Sequence, residues 1–89
     1  MQKTIFWKPQ EEDKIRGTLT DIKKDVGRYK STLYKIQDGN TTYYVWGKVQ
    51  LDSIMQLADI GDKIQLQYKG IEEFEEFNMQ RYELEILDE

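Results

Sequence analysis

Apolar side chains recur at every second position on either side of one short segment, and within that segment they recur at every third or fourth. Ile64, Leu66 and Tyr68 alternate with Lys63, Gln65, Gln67 and Lys69, and Tyr82, Leu84 and Ile86 alternate with Arg81, Glu83 and Glu85. That is the period of half-buried strands. Residues 14–23, 29–37 and 41–46 are rich in β-branched and aromatic side chains, with a turn around Gly27 and a tight one at Asp38-Gly39-Asn40, so they predict three more strands in a meander. Between them and residue 63, the spacing of Val49, Leu51, Ile54, Met55, Leu57 and Ala58 is helical, and Gly61 closes the helix. The predicted order is three strands, one helix, two strands.

That order, with Gly17 permitting a bend in a long first strand, is the order of a five-stranded OB-fold barrel, all-β with one short helix. An SH3-like barrel lacks the intervening helix, a ubiquitin-like fold places its helix after two strands, and a ferredoxin-like fold needs two helices. A chain of 89 residues holds one core, so residues 14–89 are read as a single domain. Residues 1–13 precede it, and Ile5-Phe6-Trp7 is expected to pack on the barrel or on a second subunit rather than stay exposed.

Histidine and cysteine are both absent, which removes the usual base near neutral pH, the thiolate nucleophile and the common zinc ligands. Neither an enzyme nor a cofactor is expected. The carboxylates of 72–77 lack the spacing and the glycine of an EF-hand loop, so no metal is expected there. No apolar run approaches the roughly 20 residues that span a bilayer and no signal-peptide pattern opens the chain, so a soluble, cytoplasmic protein is expected.

The net charge of -4 at first opposes a phosphate-rich partner, but it is unevenly spread. Residues 14–50 carry eight bases against three acids, and residues 51–89 carry three bases against eleven acids. Lys23, Lys24, Arg28 and Lys30 gather around the first turn, where flexible cations can follow phosphates; Arg16 and Lys48 are further candidates.

Turn length decides which rings face outward. A two-residue turn puts Tyr34 and Ile36 on one face with Tyr43 and Val45, and Leu33 and Lys35 on the other with Tyr44 and Trp46. The second set then forms a solvent-facing platform of large rings beside a lysine, suited to stacking nucleobases. A three-residue loop exchanges the aromatic sets and buries Tyr44 and Trp46, and both readings stay open at this level. The expected partner is single-stranded DNA, with RNA as an alternative, bound without sequence preference. The competing reading is a protein-interaction domain, a phage-borne adaptor or inhibitor, whose acidic 72–77 loop docks on a basic protein.

Through Ile15-Arg16-Gly17-Thr18, Tyr44-Val45-Trp46-Gly47, the helix beginning near Leu51 and Gly61-Asp62-Lys63, residues 14–86 resemble the small OB-fold single-stranded DNA-binding proteins of bacteriophages, particularly those of Gram-positive hosts. The resemblance implies coating of strands exposed in replication, recombination or repair, a bacterial cytoplasm, and a homodimer as one assembly state. Ile86-Leu87-Asp88-Glu89 is acidic but has neither a long linker nor a terminal Pro-Phe, so the resemblance does not extend to partner recruitment through a tail.

Overall fold

In the computed structural model, which describes residues 2–87, the elements follow as β1 (Lys3–Phe6), β2 (Lys14–Val26), β3 (Ser31–Asp38), β4 (Thr41–Trp46), α1 (Val49–Met55), β5 (Lys63–Glu73) and β6 (Asn78–Leu87). Asp88 and Glu89, which entered the tail comparison, lie outside the described residues. All six strands join one sheet in the order β1-β4-β3-β2-β5-β6, parallel only between β1 and β4.

β2 organises the sheet because its two halves pair differently. Lys14 to Thr18 run against β5, and Thr18 to Val26 run against β3. Ile15 and Leu19 are buried while Arg16 and Thr20 are exposed, as alternation requires. Gly17 is needed for close approach: a Cβ there would lie 2.6 Å from the Gln37 carbonyl oxygen. The β2–β3 pairing slips at Thr20, between Leu19 opposite Ile36 and Asp21 opposite Lys35, and such an extra residue sharpens strand twist.

Leu19, Ile36, Ile64 and Leu66 are fully buried on the inner face, and α1 closes one end of the core with Leu51 and Met55. The helix is shorter than its sequence period suggested. Leu51, Met55 and Ala58 are buried, whereas Val49 and Leu57 are exposed, since a seven-residue helix presents only one narrow stripe.

The sheet is open and six-stranded, which corrects the expectation of a closed five-stranded barrel. The physical reason is at the two edges. β1, absent from the predicted strands, pairs with β4 from Lys3 opposite Thr41 to Phe6 opposite Tyr44, so β4 has no free edge to offer β6. β6 is instead met by side chains. The Gln50 amide of α1 donates to the Tyr82 carbonyl (3.2 Å) and accepts from the Tyr82 N–H (2.8 Å), supplying to an edge strand the pair of bonds a neighbouring strand would make. The Trp7 ring lies 6.2 Å from that of Tyr82, so the rolled sheet is brought together at its seam by an amide and an indole rather than by a ladder.

The acidic segment 72–77, expected as a loop, is strand only at Glu72 and Glu73, and residues 74–77 make the connecting turn. β5 and β6 stay paired out to Glu73 opposite Asn78, and the Phe74 N–H donates to the Phe77 carbonyl at the tip (2.8 Å). The pairing slips between Tyr68 and Gly70, where Gly70 has φ +99°, a conformation that favours glycine.

Candidate nucleic-acid interface

A turn of two central residues, Gly39-Asn40, joins β3 to β4 and pairs Leu33 with Trp46, Tyr34 with Val45, Lys35 with Tyr44 and Ile36 with Tyr43. This is the register expected for a two-residue turn, and it settles the faces. Tyr34, Ile36 and Val45 are buried and Tyr43 packs against the same core. Leu33, Lys35, Tyr44 and Trp46 occupy the other face, Trp46 with 39% of its surface exposed.

Pairing across the sheet extends that face into two rows of side chains. One row runs Phe6, Tyr44, Lys35, Asp21, and the next runs Trp46, Leu33, Lys23. Neighbouring strands lie about 4.8 Å apart, so each row is a short strip of rings ending in charge. Phe6 stacks on Tyr44 with ring centroids 5.2 Å apart and planes 24° from parallel; Tyr44 is half-buried for that reason, and Phe6 remains exposed. Asp21 sits among the cations, but its carboxylate accepts from the Ile22 N–H (2.9 Å), which holds it against the strand.

The remaining cations named from sequence separate into four groups. Arg28 and Lys30 lie at the β2–β3 tip on either side of Tyr29, which is 84% exposed. Lys24 lines the opposite side with Ile22, Thr32 and Tyr34 and does not reach the platform. Arg16 donates to Gln65 (3.3 Å) and lies about five residues down β2 from Asp21, on the order of 15 Å at strand rise. Lys48 lies beyond the end of β4 in a groove of about 320 Å³ at the open seam, with Trp7, Lys8, Trp46, Tyr68 and Tyr82. This groove continues the platform around the end of β4, and it brings together both tryptophans and two lysines.

Phe6 and Tyr29 are the residues that sequence reasoning did not select. Phe6 carried a readable signal, because alternation in Ile5-Phe6-Trp7 turns only the middle ring outward once the segment is a strand. Tyr29 was read as the start of a strand, whereas it stands at the turn.

Burial and, secondarily, the hydrogen bond its hydroxyl donates to Asp52 (2.7 Å) raise the Tyr34 phenol above its ordinary value. Burial and the neighbouring Tyr68 likewise raise Tyr82. Both therefore stay neutral around pH 7 and act as packing groups. Among the described residues no cluster of three or more acidic side chains is arranged to hold a metal ion, and no helix is long and apolar enough to cross a membrane. No protein-family model, curated protein or solved structure matches the chain.

Proposed function

We propose that the outer face of β3 and β4 binds single-stranded DNA without sequence preference and without catalysis. The observation that carries this reading is the strip formed by the stacked Phe6–Tyr44 pair and the exposed Trp46, which leads across the sheet to Lys35 and Lys23. Rings stack on any base, and each stacked base contributes about 1–3 kcal/mol. Lys35, Lys23, Arg28 and Lys30 take the backbone phosphates in this reading, and Lys48 and Lys8 extend the path into the seam groove.

The connectivity supports the same reading. A first long strand paired with both the second and the fourth, and a helix between the third and fourth, follow the OB order with its closing ladder missing once β1 is set aside. OB folds bind oligonucleotides on the hairpin face that corresponds to β3–β4 and with the flanking loops. The acidic β5–β6 tip repels phosphate, so a bound strand runs from the platform toward the β2–β3 tip.

Titration with oligo-dT tests the proposal through tryptophan fluorescence at low and high salt. Quenching that weakens as salt rises is expected, and no binding at low salt refutes the reading. Trp46→Ala, with circular dichroism unchanged, is expected to weaken binding about five- to a hundredfold. Oligo-U in place of oligo-dT separates RNA from DNA as the preferred strand.

One observation favours a protein-docking role for the other end of the molecule. Phe74 and Phe77 stack at 4.8 Å and remain exposed among glutamates at the β5–β6 tip.

A further inference from the structure

The β2–β3 and β5–β6 hairpins leave the molecule in opposite directions. β5 runs antiparallel to β2, from Lys63 beside Thr18 to Gln67 beside Lys14, and continues to Glu73, whereas β2 continues the other way to Val26. The molecule is elongated accordingly, 44 Å by 30 Å by 24 Å.

What the two ends present is complementary. At the β2–β3 end, Tyr29 projects between Arg28 and Lys30, with Lys23 and Lys24 behind them; no ion pair among the described residues engages these four cations. At the β5–β6 end an apolar groove of about 540 Å³ is lined by Val49, Ile71, Phe77 and Met79 together with Lys48 and Gln50. Val49, Ile71 and Phe77 are exposed around it, an apolar surface of the kind that marks an interaction site. Lys48 is the one charged residue of its lining, and the carboxylates stand at the hairpin tip next to Phe77: Glu73, Glu75 and Glu76 are exposed and without an ion pair among the described residues, while Glu72 is paired with Arg81 (3.1 Å).

We infer that this groove receives the β2–β3 tip of a second copy of the chain, head to tail. The Tyr29 ring enters the apolar groove, and Arg28 and Lys30 meet the glutamates of the adjoining β5–β6 tip. Charge complementarity selects this occupant: one end presents Tyr29 between Arg28 and Lys30, and the opposite end presents the exposed Phe77 beside Glu75 and Glu76. The two halves of the contact are different surfaces of one chain, so the contact is heterologous and propagates into chains or closes into rings instead of stopping at a two-fold dimer. It needs no nucleic acid. Where the polynucleotide reading also holds, Arg28 and Lys30 are shared, and oligo-dT displaces the second copy.

Sedimentation velocity of the full chain, without nucleic acid and over a concentration series, tests the inference. At low salt the average mass is expected to rise with concentration beyond that of a dimer or to settle at a ring, and at high salt to fall to that of a monomer. Arg28→Glu/Lys30→Glu and Glu75→Lys/Glu76→Lys are each expected to abolish association while circular dichroism is unchanged. Mixing the two variants restores it, because the first keeps the groove and the second keeps the tip. Tyr29→Ser weakens association without altering charge. A wild-type chain that stays monomeric at low salt, a dimer that survives both charge reversals, or a groove that captures only a different protein would each overturn the inference.

Discussion

The β2–β3 and β5–β6 hairpins share a design and differ in sign. Each reaches past the core, each slips register before its tip, and each carries exposed rings, Tyr29 on one and Phe74 and Phe77 on the other. Their roots are fixed by packing, through Leu19 in β2 and through Ile64 and Leu66 in β5. Their tips touch little, so the fold is indifferent to whether they carry lysine or glutamate. The concentration of cations on one tip and carboxylates on the other is therefore information about what each tip meets in solution.

The largest effect is expected where the two hairpins share a root. Leu19→Ala removes a fully buried side chain at the junction and is expected to cost about 2–5 kcal/mol in urea unfolding. Hydrogen exchange should then rise in both hairpins together; loss of protection in only one would break the picture of two arms on one core. Next come the arms themselves. Arg28→Ala/Lys30→Ala is expected to flatten the salt dependence of oligo-dT affinity by about 1.4 in the log–log slope, at about 0.7 per phosphate contact on a single strand. Glu75→Gln/Glu76→Gln should leave that slope unchanged, and equal effects from the two pairs would erase the distinction between the tips.

A smaller change is expected inside the β2–β3 arm. Tyr34→Phe removes the hydrogen bond to Asp52 and should cost about 1 kcal/mol near neutral pH. The sign of its pH dependence follows from the raised phenol. The native state holds this proton above the pH at which an exposed phenol, with its value of 10.0, gives it up. The contribution is thus complete below pH 10.0 and declines as pH rises through the higher native value. A unfolding series across that range should show a smaller alkaline loss in Tyr34→Phe than in wild type. The smallest effect belongs to the other arm: Phe74→Ala, at an exposed tip, should alter stability by less than about 0.5 kcal/mol.

These particulars explain how far the sequence could be read. The β3–β4 register was legible only as a pair of alternatives, because turn length fixes parity locally but Asp38-Gly39-Asn40 allows two lengths; the two-residue turn that pairs Asp38 with Thr41 decides the outward placement of Tyr44 and Trp46. β1 was not legible. Its partner lies 38 positions away in parallel pairing, Lys3 opposite Thr41, and no turn residue announces such a contact. The length of β5 was hidden for another reason: beyond Gly70 its residues Glu72 and Glu73 face solvent on a two-stranded arm, so no buried face imposes alternation on them. In the helix, periodicity identified the element but overstated its extent, since Val49 and Leu57 keep the spacing without the burial. The function reading from sequence concerned residues on separate surfaces, and only the sheet pairing shows that Lys35 and Lys23 accompany the rings while Lys24 and Arg16 do not.

The bidentate contact between Gln50 and the Tyr82 backbone bears on how copies of this chain can coexist at high concentration. A bare border strand invites another chain to zip onto it, and such growth hardens toward fibrils. One carboxamide, already seated at that position, denies the first rung to an incoming strand. At that stretch of β6 another copy meets a side chain in place of bare backbone.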